Sequence, residues 1–234
     1  METNGTRKLN GSHSEIKLIL LEEEKLEKAT AEFLAQVILK QLSDGNRVLW
    51  LVPGGSGIPV VIEAAKIISK QPHNKLIVSL TDERYGTAGH ADSNWEHLLA
   101  KGFSLPQAHL ISVLGTDSMA ETTEKFSTAI GRAIYEADYI LGFFGIGTDG
   151  HTAGILPGSE AVNSPDMVCG YHTLKFDRIT LTPQAIKKLH EVVVFARGEK
   201  RKVIKDLQEK TINTAEQPAQ ILKMVPKLTI FSEP

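Results

Sequence analysis

The sequence predicts an α/β fold in which a doubly wound, mostly parallel sheet carries helices on both faces. Two observations lead to this prediction. Short apolar runs rich in Val, Ile, Leu and Phe alternate along the chain with segments whose apolar residues recur every three or four positions. The runs are typical of buried parallel strands, and the segments between them are typical of crossover helices. No internal repeat or low-complexity linker interrupts this alternation.

The apolar runs predict strands at residues 15–21, 48–52, 76–80, 110–112, 139–144, 178–182, 192–196 and 228–231. The helical patterns lie between them, at residues 26–42, 59–69, 93–101, 119–137, 183–189, 199–208 and 218–223. In such a sheet, ligands bind beyond the carboxyl ends of the strands, near the point where the strand order reverses. The loops that directly follow strands are therefore the candidate binding loops.

Composition limits the classes of protein that fit. The chain has 234 residues, 41% hydrophobic and 23% charged, with a formal net charge of -2. We expect one domain over residues 15–234, after a polar N-terminal tail, residues 1–14, that is disordered. No basic block indicates nucleic-acid binding, and no window of about 20 apolar residues indicates a membrane span. The single cysteine, Cys169, suggests a reducing compartment, and we expect the cytoplasm. The oligomeric state stays open.

The most informative segment runs from residue 142 to residue 158. An apolar strand leads there into a glycine-rich loop that carries one carboxylate, Asp149, and one imidazole, His151. Histidine titrates near neutral pH, so at the end of a strand it is suited to accept a proton. The alternative interpretation is a tight turn with a surface histidine.

Two further loops follow predicted strands. Residues 53–57 read Pro-Gly-Gly-Ser-Gly before a helix, and Gly54, Gly55 and Ser56 could offer N–H and O–H donors to an anion, or could form only a turn. Residues 81–84 read Thr-Asp-Glu-Arg. We expect Asp82 and Arg84 to serve a site, because such groups are costly to bury without a partner; an ordinary ion pair of Arg84 is the alternative.

Taken together, these loops resemble the 6-phosphogluconolactonases of the sugar-phosphate isomerase and lactonase superfamily, which has a Rossmann-like fold. The resemblance rests on the Gly54-Gly55-Ser56 run, the Asp82-Glu83-Arg84 run with the later Asp92-Ser93-Asn94, and above all on residues 145–153 with Leu-Pro-Gly after them. Residues 178–182 and 198–202 extend it over roughly residues 15–232.

The resemblance implies hydrolysis of 6-phospho-D-glucono-1,5-lactone to 6-phosphogluconate, without metal or organic cofactor. His151 would be the general base, and Asp149 or Asp82 would orient it; the sequence leaves that choice open. Arg84 would face the carbonyl oxygen or a sugar hydroxyl. The substrate phosphate would bind Gly54, Gly55, Ser56 and Arg178, with Arg201 or Lys202, a second choice that the sequence leaves open.

Two alternative functions stay open. The amino-sugar-6-phosphate deaminases share the Asp-Gly-His run but continue with a glutamate that acts in ring opening, where this chain has Leu156. A protein of the same fold could also bind a sugar phosphate without turning it over. Pro53 and the Gly57-Ile58 pair depart from the family pattern of the first loop, which leaves the shape of that loop open.

Overall fold

The computed structural model describes residues 4–8, 15–115 and 117–234. Its strands are β1 Asn4–Lys8, β2 Glu15–Leu20, β3 Val48–Val52, β4 Leu76–Leu80, β5 Asp82–Arg84, β6 His109–Ile111, β7 Tyr139–Gly145, β8 Val168–Tyr171, β9 Arg178–Leu181, β10 Glu191–Ala196 and β11 Lys227–Ser232. Its α-helices are α1 Glu23–Ser43, α2 Ile58–Ile68, α3 Asn94–Ala100, α4 Met119–Glu136, α5 Pro183–Ile186 and α6 Arg201–Glu209. Short 3₁₀ segments lie at Gly55–Gly57, Glu160–Val162 and Pro218–Met224.

The main sheet has the order β1-β2-β11-β10-β7-β3-β4-β6, and all its strands except β1 run parallel. From β3 the chain continues outward through β4 to β6; it then returns to β7, on the other side of β3, and continues to β10 and β11. The strand order therefore reverses between β3 and β7. The loops after these two strands flank the crevice where ligands bind in doubly wound sheets. The predicted fold class is confirmed.

A second, antiparallel sheet has the order β5-β9-β8. Two predictions are wrong here. Residues 178–182 were expected to form a strand of the parallel sheet, but β9 belongs to this small sheet. Residues 82–84 were expected to form a loop, but they pair with β9 as β5. The reason is long-range pairing: β5 gains its hydrogen bonds from residues almost a hundred positions away, which local composition does not reveal.

The predicted tail, residues 1–14, lies mainly outside the described residues. Its central part, Asn4–Lys8, is described as β1 and pairs antiparallel with β2, which differs from the expected lack of structure. This pairing supplies hydrogen-bond partners to an edge of β2 that would otherwise have none. The expectation of one domain over residues 15–234 stays a prediction.

The core lies on both faces of the main sheet. Strands β3, β4 and β10 are buried along their whole length, and Trp50, Phe143 and Phe144 are among the largest side chains without solvent exposure. Burial on both faces explains why these strands read as unbroken apolar runs. In the residues that the structure describes, no helix combines the length and the apolarity that a membrane crossing requires.

Candidate active site

A histidine–aspartate pair stands on the loop after β7. The Nδ1 atom of His151 lies 2.6 Å from Oδ1 of Asp149, which also accepts the backbone N–H of His151 at 3.1 Å. Both side chains remain accessible, 40% exposed for His151 and 52% for Asp149. Because a carboxylate can only accept, the hydrogen bond at Nδ1 leaves Nε2 with its lone pair free. The pair can therefore act as a base toward solvent.

The ionisation of Asp149 suits this role. Partial burial raises the pKa of its carboxyl, but the backbone N–H and the imidazole of His151 outweigh that effect, and the net pKa lies below its ordinary value. Asp149 is therefore ionised across the neutral range, where it holds the imidazole and stabilises its protonated form.

The loop brings the pair together by a tight backbone path. The N–H of Gly147 donates to the carbonyl of His151 at 2.8 Å, and a Cβ at position 147 would overlap both Nδ1 of His151 and Oδ1 of Asp149. Only glycine fits there. Ala153 follows with a φ of 49°, a left-handed conformation that is unfavourable for alanine. The surrounding contacts thus hold strained backbone beside the reactive groups.

Asp82 and Arg178 form a buried ion pair next to this loop. Oδ2 of Asp82 lies 3.5 Å from Nη1 of Arg178, and their side chains are 9% and 18% exposed. Burial raises the pKa of Asp82 above its ordinary value, although the charges of Arg178, Arg84 and His151 and the Thr81 hydroxyl oppose the rise. Asp82 therefore lies within electrostatic reach of three other predicted site residues.

The contacts of the two carboxylates separate their roles. Asp149 forms a hydrogen bond with the imidazole of His151, whereas Asp82 accepts a hydrogen bond from the Thr81 hydroxyl at 3.0 Å and forms an ion pair with Arg178. Of the two alternatives left open by the sequence, Asp149 is the one in contact with His151 Nδ1.

Arg84 is half-buried, and its contacts lie within the second loop and on Phe176. Its Nη1 donates to the carbonyl of Asp92 at 2.9 Å, and its Cζ lies 4.9 Å from the centre of the Phe176 ring. The ordinary ion pair with Asp82 or Glu83, the alternative considered from sequence, is not its contact. Its Nε atom is buried and has no hydrogen-bond partner among the described residues.

Glu83 is completely buried and belongs to the scaffold of the site. Its carboxylate accepts four hydrogen bonds at the start of α3, from the N–H groups of Arg84, Asn94 and Trp95 and from the Ser93 hydroxyl, at 2.6 to 3.1 Å. Burial raises the pKa of Glu83, and these donors, led by the Asn94 N–H, oppose the rise. Negative charge at a helix N-terminus is favourable, so Glu83 fixes α3 against β5.

We expect Glu83→Gln to lower the free energy of unfolding by about 1–3 kcal/mol, because a carboxamide replaces one acceptor oxygen by a donor and leaves a buried N–H without a partner. Chemical denaturation at neutral pH measures the change. Glu63→Gln is the matched control, since Glu63 forms only an exposed pair with Lys66 at 2.6 Å and should change stability by less than about 0.5 kcal/mol. Equal losses in the two variants would contradict the scaffold role.

Asn94 connects the first loop to the second. Its Nδ2 donates to the backbone carbonyl of Asp82 at 3.0 Å, and its side-chain oxygen lies against Gly54 so closely that a Cβ there would overlap it. The third loop joins through Gly154, whose N–H donates to the Thr180 hydroxyl at 3.0 Å beside Asp82. These contacts bring the three predicted loops to one edge of the sheet.

The first loop leaves β3 as a 3₁₀ turn and enters α2. Gly55 and Ser56 are exposed and Gly54 is half-buried, so their polar groups face solvent at the helix start. Pro53 is buried, and a Cβ at Gly57 would lie 2.7 Å from its Cγ. The two departures from the family pattern are therefore one packing pair, because the proline ring fills the space that a side chain at position 57 would need.

The two candidate cations of the 198–202 turn are exposed at the start of α6. Arg201 donates from Nη2 to the carbonyl of Pro234, which engages its guanidinium at the end of the described chain. The role of either residue at a phosphate stays a prediction.

Some residues at the site had no functional signal in the sequence. Tyr171, 4% exposed, donates its hydroxyl proton to the carbonyl of Gly154 and thereby fixes the third loop from β8. Phe176 contacts the guanidinium groups of Arg84 and Arg178. Asn94 entered the sequence analysis only through the Asp92-Ser93-Asn94 run of the family resemblance, without a role of its own, and Ser93 is the N-cap of α3. No spacing rule would have connected Tyr171 or Phe176 with the loops, since strand pairing places them there.

The chain resembles known proteins over most of its length. A model of the family described as "Glucosamine-6-phosphate isomerases/6-phosphogluconolactonase" matches residues 21–230. The chain is 28% identical over 225 residues to the "Probable 6-phosphogluconolactonase" of Dictyostelium discoideum, which covers 87% of this chain and 92% of that protein. It is 27% identical over 203 residues to the "Probable 6-phosphogluconolactonase 1" of Arabidopsis thaliana, covering 76% of this chain and 74% of that protein.

Among solved structures, the crystal structure of 6-phosphogluconolactonase from Thermotoga maritima is similar with a TM-score of 0.77 and 23% sequence identity, covering 94% of this chain and all of that one (100%). At this identity the likeness establishes the fold. The family match covers all three loops of the site. The chain therefore belongs to the glucosamine-6-phosphate isomerase/6-phosphogluconolactonase family.

Proposed function

We propose that this chain is a 6-phosphogluconolactonase, which hydrolyses 6-phospho-D-glucono-1,5-lactone to 6-phosphogluconate. The observation that carries the proposal is the accessible His151–Asp149 pair, 2.6 Å apart, on the same edge of the sheet as the paired arginines Arg84 and Arg178. A base and two cations are what the hydrolysis of an anionic lactone needs. The relatives named above as 6-phosphogluconolactonases support the assignment.

The His151–Asp149 pair supplies the proton transfers. Nε2 of His151 removes a proton from a water molecule as the water oxygen attacks the lactone carbonyl carbon, which forms a tetrahedral oxyanion. The carbonyl then re-forms, the bond to the ring oxygen breaks, and the imidazolium returns the proton to that oxygen. The product is the open-chain acid, and His151 is restored. Asp149 holds Nδ1 throughout and stabilises the imidazolium.

The arginines and the first loop supply binding. Arg84 stabilises the developing oxyanion through the positive charge of its guanidinium group. Arg178 binds the phosphate together with Gly54, Gly55 and Ser56 at the start of α2, where exposed N–H groups favour an anion. Binding the remote phosphate orients the carbonyl for attack. Arg201 or Lys202 supplies a further phosphate contact in this proposal, since both are exposed cations at the start of α6, directly after the parallel strand β10.

Asp82 has a supporting role in this proposal. It holds the Arg178 guanidinium at 3.5 Å and places a carboxylate within electrostatic reach of His151. Its negative charge favours the protonated imidazole that forms during the reaction.

The rate of lactone loss tests the proposal. Freshly generated 6-phospho-D-glucono-1,5-lactone decays spontaneously, and we expect the protein to accelerate its decay with saturation kinetics. Ammonia release from glucosamine 6-phosphate is measured in parallel, and we expect none above background, because Leu156 replaces the glutamate that ring opening requires. A lactone decay equal to the spontaneous rate would refute the lactonase assignment. Ammonia release would then favour a deaminase, and the absence of both activities would favour a non-catalytic binder.

The cellular setting belongs to the same proposal. The proposed substrate of the protein is a small phosphorylated lactone. We place the reaction in the cytoplasm because the sequence has a single cysteine, Cys169, which carries no disulfide.

A further inference from the structure

The two site arginines face each other across the small antiparallel sheet. Arg84 of β5 and Arg178 of β9 are direct partners in the strand register. Like charges placed opposite each other on neighbouring strands normally destabilise the pairing. The position therefore needs groups that compensate for two adjacent guanidinium charges.

Part of this compensation is visible in hydrogen bonds and charge. Arg178 has the Asp82 carboxylate at 3.5 Å, and Arg84 has the carbonyl of Asp92 at 2.9 Å. Both Nε atoms, however, are buried without a hydrogen-bond partner among the described residues. These hydrogen bonds and the ion pair thus leave one N–H of each guanidinium without an acceptor. A further contact is needed to fix the direction of each guanidinium.

Phe176 is the group that both guanidiniums share. Cζ of Arg84 lies 4.9 Å from the centre of its ring and Cζ of Arg178 lies 6.0 Å from it, while Nζ of Lys175 lies 5.3 Å from it. The face of an aromatic ring is electronegative and attracts cations within about 6 Å. One ring therefore offsets charge on two arginines without using any of the N–H groups that a ligand would need.

The ring is held in place by its own loop, residues 172–177, between β8 and β9. The Thr173 hydroxyl accepts the N–H of Phe176 at 3.1 Å and donates to its carbonyl at 2.5 Å. The loop closes through His172 Nδ1 and Asp177 Oδ1, 2.8 Å apart, and the carbonyl of Asp177 accepts the N–H of Tyr85, just beyond β5, at 2.8 Å. The backbone that carries the ring is thus held by contacts that do not involve the guanidinium groups of the two arginines.

We propose that Phe176 is a positioning residue: its ring holds the guanidinium groups of Arg84 and Arg178 in the directions in which their free N–H groups meet the anionic substrate. The inference deepens the proposed lactonase function and rests on it where the substrate is concerned. Phe176 itself does not touch reacting atoms; it acts through the two arginines, and above all through Arg84, which lies closer.

A double-mutant cycle tests the kinetic consequence. Phe176→Leu keeps an apolar side chain and removes the ring; we expect it to lower kcat/KM for the lactone about tenfold, whereas Phe176→Tyr keeps kcat/KM within about twofold. In an Arg84→Met background, the Phe176→Leu change should cost clearly less than tenfold, because the nearer of its two cations is gone and only the longer approach to Arg178, at 6.0 Å, remains. A tenfold cost that persists in that background would show a packing role and overturn the inference.

The matched control is Leu174→Ala on the same loop. The Leu174 side chain is fully exposed, so we expect wild-type kinetics within about twofold. If Leu174→Ala costs as much as Phe176→Leu, the loop as a whole matters rather than the ring, and the inference fails.

A spectroscopic measurement separates this inference from the lactonase assignment. In the free protein, the Nε–H resonances of Arg84 and Arg178 should carry ring-current shifts that persist in Phe176→Tyr and disappear in Phe176→Leu. This result would support the positioning role even if the lactone were not a substrate. Unchanged arginine resonances in Phe176→Leu would overturn the inference whatever the enzymatic activity.

Discussion

Replacing His151 by alanine is expected to lower kcat for 6-phospho-D-glucono-1,5-lactone by about 10²–10⁴-fold, the range that general base catalysis contributes. KM should change much less, because His151 acts on the attacking water rather than on the phosphate. The measurement is the initial rate of lactone loss after subtraction of spontaneous hydrolysis, at several substrate concentrations. Asp149→Asn should also lower kcat, since a carboxamide can present its NH₂ group to Nδ1 and trap the imidazole with the proton on Nε2.

A second histidine–aspartate pair provides the control. His172 Nδ1 lies 2.8 Å from Oδ1 of Asp177, and the His172 side chain is 77% exposed. It matches the chemistry of the His151 pair but belongs to the loop that carries Phe176, so His172→Ala should lower kcat by no more than about tenfold, far less than His151→Ala. Should His151→Ala retain the kcat of the His172 variant, the general base would have to be sought elsewhere.

Removal of the Arg178 charge is expected to affect binding and stability together. In Arg178→Met, KM for the lactone should rise about 100-fold, since a charge-assisted hydrogen bond contributes about 1.5–3 kcal/mol. The free energy of unfolding should fall by about 3 kcal/mol, because Asp82, 6% exposed, would become a buried carboxylate without its partner. Kinetics and chemical denaturation measure the two effects separately.

The two effects of the Arg178 substitution respond differently to a second substitution. In Arg178→Met with Asp82→Asn, the buried charge is absent, so most of the stability should return while KM stays high. A double variant that recovers no stability would contradict the ion-pair explanation of the stability loss.

The stability loss in Arg178→Met should also depend on pH. Burial raises the pKa of Asp82 above its ordinary value of 3.8, and the Arg178 charge opposes this rise, so removing Arg178 raises that pKa further. The folded variant then binds the Asp82 proton more tightly than the unfolded chain does. The free energy of unfolding of Arg178→Met is therefore greatest below the ordinary pKa of an aspartate, and it declines as pH rises through the pKa of Asp82 in the folded variant. Unfolding curves should show a smaller loss at pH 5 than at pH 8; equal losses would argue against an ionised Asp82.

Much of the fold could be predicted because its signals are local. The runs at 48–52 and 76–80 coincide with β3 and β4, which are buried on both faces and must therefore be apolar along their whole length. The helix α4 also begins where expected, at Met119, after a capping box formed by Ser118 and Glu121.

The small antiparallel sheet could not be predicted from such local sequence signals. Strands β5 and β8 are short and half-polar, and they exist only because both pair with β9. Nothing in the composition of residues 82–84 distinguishes a strand from a loop; the distinction depends on hydrogen-bond partners far away in the chain.

For the site, the sequence by itself determined the inventory of chemical groups and the order of the loops that carry them: a glycine-rich turn after β3, an acid and an arginine after β4, and an imidazole with a carboxylate after β7. Tertiary structure alone decided which groups meet. It placed Asp149 rather than Asp82 at the imidazole, paired Asp82 with Arg178, and brought Phe176 to both arginines. Residue type and spacing define local chemistry, whereas contacts between distant segments are fixed by how the strands pair and the core packs.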